Sequence, residues 1–397
     1  MNEVISQSKT DDKQNEIKII KEKKLTRCEI NCLESIKYKN KDYIVIGLSD
    51  WRNESIIEIY DTLNLELIGR NDTDLGYDNI NYISQMYNQN LLVCGYKLRI
   101  FTFYLDNDKL VIKLVQISEY PEIDDKYGLM RVRSFKKAFV LDLNLYRDPK
   151  DQISSSEGEI LVNGSVGIFI YKRKEKDNNE MFVEEDNLSI NYLEKCEDIN
   201  KLNINDYIEK WNNNPYIFKR QESYTVNFDV IQINYKHLAV TRGKYVCILD
   251  IEINNLITIF EVKSAHDADR VIFILNKDII CVGGDDQVTL ISMKDYNPVL
   301  SCIIKPNFKI SEICIMDGYN VLITMRSNSY SFEEHLLHYK LIFEKDVKTK
   351  KMIYNMKYVS SELTSKDNSN LTMAPIDKNK FAAIIENKII QIREINS

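Results

Sequence analysis

The chain has 397 residues, 44% of them hydrophobic, so it can bury a large core and is not a disordered tail. Its 53 basic and 60 acidic side chains leave a net charge of −7, which provides no overall positive field to gather nucleic-acid phosphates. With only 12 glycines and 6 prolines, collagen-like and low-complexity Gly/Pro classes are excluded.

The first fifteen residues, Met1 to Asn15, are polar and lack an apolar h-region, so they read as a flexible tail without a secretory signal. No apolar run approaches the roughly 18 residues of a membrane span. Eight cysteines at 28, 32, 94, 196, 247, 281, 302 and 314 are scattered, most of them inside apolar runs such as Ile280-Cys281-Val282. That is how small buried hydrophobes are used in a reducing compartment, and a cytoplasmic or nuclear location is expected. Cys28 and Cys32 have no second Cys or His pair at ligand spacing, so no zinc site is expected.

Glu16 to Ile20 reads as a strand with no sheet of its own, and the basic run Lys18 to Arg27 as its solvated face. From there a unit recurs: a short apolar run, often closed by Gly, then a turn, then an alternating strand. It appears as Tyr43–Gly47 with Ile57–Asp61, Leu91–Gly95 with Leu98–Thr102, and Ile160–Gly164 with Val166–Ile170. It returns as His237–Val240 with Val246–Asp250 and as Ile279–Gly283 with Val288–Ser292. Weaker copies are Asn320–Thr324 with Leu337–Leu341 and Phe381–Ile385 with Ile390–Glu394. The later strands start at 57, 98, 166, 246, 288, 337 and 390, and two of the intervals fall in the about 40–45 residues of a four-stranded propeller blade. Flanking segments such as Ile80–Ser84 and Pro298–Cys302 supply a first and a fourth strand.

Four strands per unit and about seven units predict an all-β, closed β-propeller. The last unit ends at its third strand, so the strand at Glu16–Ile20 is expected to pair there and close the ring. The domain is thus expected over 16–397.

Ser264-Ala-His266 opens a unit, Gly283-Gly-Asp-Asp286 follows its second strand, and Tyr60-Asp61 and Leu249-Asp250 stand where a Trp-Asp dipeptide would. In these residues the chain resembles the WD-repeat propeller family, from about residue 16 onward. The resemblance implies a structural hydrogen-bond network of His266 with Asp285 or Asp286. It also implies a scaffold for protein or peptide partners.

Three stretches exceed the unit. Arg147 to Glu159 is a polar loop, and Ser327 to Glu334 separates a second from a third strand. The longest, about 176–223, carries apolar residues at 199, 202, 207, 208 and 211, which predicts an amphipathic helix ended by Asn212-Asn-Asn-Pro215. Tyr207, Ile208 and Trp211 on one face of that helix are candidate partner-binding residues. Trp51 and Arg52, in the turn between second and third strands of the first unit, form a second candidate.

No catalytic constellation accompanies these features. His335 and His338 lie three apart in a strand and face opposite ways, so they cannot share a metal. There is no G-x-S-x-G elbow, no phosphate-loop lysine beside Gly283-Gly284, and no cofactor fingerprint. A non-enzymatic interaction scaffold is the reading these residues favour. Two alternatives stand beside it: a propeller enzyme, and a phosphoinositide-binding propeller using Val240-Thr-Arg-Gly243, which offers one arginine where two would hold two phosphates.

Overall fold

In the computed structural model, short apolar runs form strands and the polar, Asn- and Asp-rich segments between them form turns. The structure describes residues 3–4 and 17–396 apart from 26–27, 51–53, 73–74, 77, 87–89, 108, 119–134, 154–156, 165–167, 174–192, 199–228, 243–244, 253–254, 263–270, 277, 285, 317–318, 328–332, 346–351 and 366–370. Among the described residues there is no helix.

Two strands precede the repeat, β1 (Glu3–Val4) and β2 (Ile17–Lys24). The first sheet is β3 (Cys28–Tyr38), β4 (Lys41–Asp50), β5 (Ser55–Asp61) and β6 (Leu67–Asn71). The second is β7 (Tyr82–Met86), β8 (Asn90–Cys94), β9 (Leu98–Asp106) and β10 (Lys109–Ser118). A third holds β11 (Phe135–Asp142), β12 (Glu157–Gly164), β13 (Ile168–Arg173) and β14 (Leu193–Asp198). In the fourth are β15 (Val230–Gln232), β16 (His237–Arg242), β17 (Tyr245–Asp250) and β18 (Asn255–Glu261). The fifth has β19 (Val271–Asn276), β20 (Ile279–Gly284), β21 (Gln287–Ser292) and β22 (Pro298–Ile303). The sixth follows with β23 (Phe308–Ile315), β24 (Asn320–Ser327), β25 (Glu334–Lys345) and β26 (Met352–Ser365). The seventh has β27 (Thr372–Pro375), β28 (Lys380–Ile385) and β29 (Ile389–Ile395).

The repeat strands of each sheet form an antiparallel meander, and the recurring pairs of the sequence are its second and third strands throughout. The fourth strand of the seventh sheet comes from the other end of the chain. There β2 runs antiparallel to β29, with Ile17 opposite Ile395 and Lys24 opposite Ile389. The expected strand is therefore four residues longer at its C-terminal end.

Two expectations need correcting. The segment about 176–223 is not wholly an insertion, because Leu193–Asp198 is β14 and pairs with β13, Arg173 opposite Leu193. That sheet needed a fourth strand to cover the edge of β13, and the helical reading began too early by including Glu197 and Asp198. The remainder of the expected helix lies outside the described residues. The tail expected over 1–15 contributes β1, which adds in parallel to the edge of β22 with Glu3 opposite Cys302 and Val4 opposite Ile303.

Apolar side chains meet between neighbouring sheets. Ile36, Val45 and Ile57 of the first pack with Ile83, Val93 and Phe101 of the second. Leu290 and Cys302 of the fifth pack with Ile323 and Leu337 of the sixth, and Ile44 and Ile46 of the first meet Ala382 and Ile390 of the seventh. Each fully buried Leu, Ile or Phe contributes about 1.5–3 kcal/mol, so this inter-sheet packing carries the fold. Six cysteines, Cys32, Cys94, Cys247, Cys281, Cys302 and Cys314, are buried and in the thiol form.

Between some first strands a glutamine stands in for backbone. Gln85 of β7 accepts from the Lys37 N–H at 2.9 Å and donates to the Lys37 carbonyl at 2.7 Å. Gln232 of β15 repeats this on Asp142 of β11, at 2.7 and 2.8 Å. The first-to-second-strand turns of adjacent sheets thereby lie at the same end of the molecule.

Candidate functional site

Strand ends are fixed by short acidic side chains. Asp61 ends β5 and its Oδ1 accepts the Leu63 N–H at 2.7 Å, while Asp250 ends β17 and accepts the Glu252 N–H at 2.9 Å. Both are the residues that stand where a Trp-Asp dipeptide would, and the carboxylate holding the N–H two residues on explains the preference for Asp there. Of the expected His266–Asp285/Asp286 network, His266 and Asp285 lie outside the described residues. Asp286 is half-buried in the β20–β21 turn, where its carbonyl accepts the Ile304 N–H at 2.7 Å.

In the second sheet a different network grips the corresponding turn. Asp78, just before β7, accepts the Tyr96 N–H at 2.5 Å and the Lys97 N–H at 3.1 Å, and pairs with the Arg99 guanidinium. Both partners of this ion pair are buried, and the carbonyl of Asp78 also accepts from the Ser55 hydroxyl. Gly95 is required beside it, because a Cβ there would stand 2.3 Å from the Asp78 carboxylate and 2.4 Å from the Asn79 carbonyl. Sequence reasoning missed this network. The signal was an arginine in the otherwise apolar run Leu98-Arg-Ile-Phe.

The first strands carry a second polar group. Lys137 of β11 pairs with Asp229 at 2.9 Å and lies 6.0 Å from the Tyr82 ring of β7. Burial pushes the Glu34 carboxyl of β3 up to about 8, opposed by the positive charge of Lys137. Glu312 of β23 is likewise pushed up to about 8 by burial, against the pull of a hydrogen bond from the Met373 N–H at 3.1 Å, with Glu334 adding like-charge repulsion. These carboxyls hold protons at neutral pH more readily than ordinary glutamates. Among the described residues no three His, Cys, Asp or Glu side chains converge to hold a metal.

The three described histidines are accounted for by packing. His338 is fully buried and its Nε2 bonds Asn320 Oδ1 at 2.9 Å, while the His335 ring sits edge-on to Phe308 at 5.1 Å. His237 contacts Asn234 at 3.1 Å, and Asp250 lies 3.6 Å away.

Exposed aromatic and basic groups collect at the turns that follow the first strands. Three of these turns carry a tyrosine followed by a basic residue: Tyr38-Lys39, whose tyrosine is buried, Tyr146-Arg147, and Tyr235-Lys236, whose tyrosine is half-buried. Lys39 lies 5.3 Å from the Tyr38 ring, and both Arg147, at 4.6 Å, and Lys236, at 5.4 Å, lie over Tyr235. The Tyr235 N–H donates to the Leu145 carbonyl at 2.9 Å and so ties the third and fourth turns together. Tyr146, in the left-handed conformation at φ 55°, is 45% exposed, and Tyr319 of the sixth sheet is 59% exposed. Tyr319 continues into Phe343 at 5.8 Å and Tyr354 at 5.6 Å beyond it. Burial and the Asp278 carboxylate, from the fifth-sheet turn, raise the hydroxyls of Tyr146 and Tyr354 above the usual range. The candidates Trp51, Arg52, Tyr207, Ile208 and Trp211 lie outside the described residues. The repeated Tyr–basic dipeptide at one turn position was the sequence signal for this surface.

No protein-family model matches the chain, and no curated protein matches it. Solved structures do. One chain of the mitotic checkpoint complex matches at a TM-score of 0.58 and 8% identity, over 100% of both chains. The C-terminal WD40 domain of Sif2 matches at a TM-score of 0.51 and 11% identity, over 95% of this chain and 99% of that one. At such identities the likeness speaks for architecture alone, and it agrees with the four-stranded meanders and Asp-capped strand ends: the fold is that of a WD-repeat-like β-propeller.

Proposed function

We propose that the chain is a closed ring of seven four-stranded blades that works as a non-enzymatic scaffold for protein partners. Closure is supported by the pairing of β2 with β29, by the packing of β3 near β7, β7 near β11, β15 near β19, β19 near β23, β23 near β27 and β27 near β3, and by the Gln232–Asp142 bonds that join β15 to β11. The observation that carries the binding role is the Tyr–basic turn surface of Tyr146, Arg147, Tyr235 and Tyr319. Tyrosine and arginine supply large contact area with a polar handle, and they dominate the energy of protein interfaces. A rigid frame that offers them on short turns adds little ordering cost on binding. Trp51 with Arg52, and Tyr207, Ile208 and Trp211, remain candidates for separate contacts.

Three baits separate these surfaces: the unaltered chain, a Tyr146→Ala/Arg147→Ala/Tyr319→Ala variant and a Trp51→Ala/Arg52→Ala variant. Affinity capture with quantitative mass spectrometry should show a partner lost from the first variant and retained by the second. Identical partner sets from all three baits would refute the turn surface.

A further inference from the structure

Sheet edges are normally defended. A strand at an edge presents unpaired N–H and C=O groups, and charged side chains keep foreign strands from pairing with it. Six outer strands follow this rule: β6 has Arg70, β10 has Lys109 and Lys113, β14 has Glu194 and Lys195, β18 has Glu261, β26 has Lys357 and Glu362, and β2 has four lysines. The outer strand β22, Pro298-Val-Leu-Ser-Cys-Ile303, has no charged residue. Pro298 guards only its first position, and Val299 next to it is 38% exposed. This undefended edge is also the one on which another strand sits, since β1 pairs with Cys302 and Ile303.

We propose that the edge of β22 is a strand-addition site for an extended peptide running parallel to it, and that the chain's own segment around Glu3–Val4 occupies the site in cis as a removable cap. Composition and pairing point to the same strand independently. Within the capping segment Val4 is β-branched, which favours extended backbone. Main-chain bonds supply most of the affinity in this mode, so a competing peptide needs a proline-free stretch that includes β-branched residues and little else. A cap tethered to the same chain has a high effective concentration and excludes weak competitors from solution. This site lies at the outer rim and is independent of the turn surface described above.

The probe is a dye-labelled peptide of residues 1–10, followed by fluorescence anisotropy. The full chain should not take it up. The full chain carrying Val4→Pro should bind it saturably, because proline removes an N–H and restricts the cap. A chain lacking residues 2–10 should bind it as well, with an unchanged melting curve. A labelled peptide that itself carries Val4→Pro should bind either variant at least tenfold more weakly. Equal binding to capped and uncapped chains, binding to neither, or no loss with the altered peptide would overturn the proposal. So would a full chain that sediments as a dimer and dissociates on adding the peptide, since the segments would then be exchanged between copies.

Discussion

Replacing Asp78 by alanine tests whether the buried Asp78–Arg99 pair holds the second sheet to its neighbours. The Asp78 and Arg99 side chains are each 6% exposed, so neither charge can fall back on water. Without the carboxylate, Arg99 retains only the Leu75 carbonyl at 3.4 Å, and the N–H groups of Tyr96 and Lys97 lose their acceptor. Breaking a buried pair from one side costs about 3–5 kcal/mol, a large fraction of the about 5–15 kcal/mol that keeps a domain folded. The reverse change, Arg99→Met, should cost less, because Asp78 keeps both backbone donors and the methionine fills much of the volume. In the double variant Arg99→Met should recover part of the Asp78→Ala loss, giving a coupling of about 1–3 kcal/mol. Guanidinium unfolding followed by far-UV circular dichroism measures all three. An Asp78→Ala loss below about 1 kcal/mol, or an Arg99→Met loss exceeding it, would show that the pair does not act as described.

Gly95→Ala should destabilise by about 1–3 kcal/mol in the same assay, since the added methyl meets the Asp78 carboxylate and the Asn79 carbonyl; a neutral result contradicts the close approach. Glu34 has a folded-state pKa of about 8 against an ordinary 4.5, so it binds its proton more tightly in the folded chain. Its contribution to stability is complete below about pH 4.5 and is lost as pH rises towards 8; Glu34→Gln should flatten that decline and gain on the unaltered chain at pH 8–9, and parallel stability–pH curves would count against it. Removing residues 17–24 should uncover the edge of β29 and produce concentration-dependent association on size exclusion, whereas a stable monomer would mean that β29 tolerates an open edge.

The repeat was legible in the sequence because a middle strand buried on both faces must be largely apolar, as in the first sheet, where Ile44, Val45 and Ile46 are fully buried, as are Ile57 and Ile59. Outer strands were harder to find. Leu193-Glu-Lys-Cys-Glu-Asp198 has the composition of a surface helix or loop, and only the need to cover β13 makes it a strand. The Asp-capped strand ends could be read from Tyr60-Asp61 and Leu249-Asp250, since an Asx turn is local in sequence. The Asp78–Arg99 pair could not, because its members are 21 residues apart and meet only when the loop before β7 folds against the start of β9. Aromatic turns such as Tyr146-Arg147 looked like ordinary polar loops, and their common end of the molecule emerged only with the sheet order.

The pairing of β2 with β29 sets an order of events during synthesis. The four-stranded meanders of the first six sheets can form as the ribosome releases them, each from a contiguous stretch of chain. The seventh cannot, because β2 is made long before β27, β28 and β29, with Gln391 and Glu22 bonded at 2.6 Å across 369 positions. Until Ile389–Ile395 emerges, β2 must wait unpaired beside newly exposed sheet edges. Its sequence Ile-Lys-Ile-Ile-Lys-Glu-Lys-Lys suits that interval, since its charges discourage premature pairing and keep the waiting segment soluble. A slow closing step of long sequence separation follows, and a nascent chain stalled before Ile389–Ile395 emerges should be the form most dependent on chaperones.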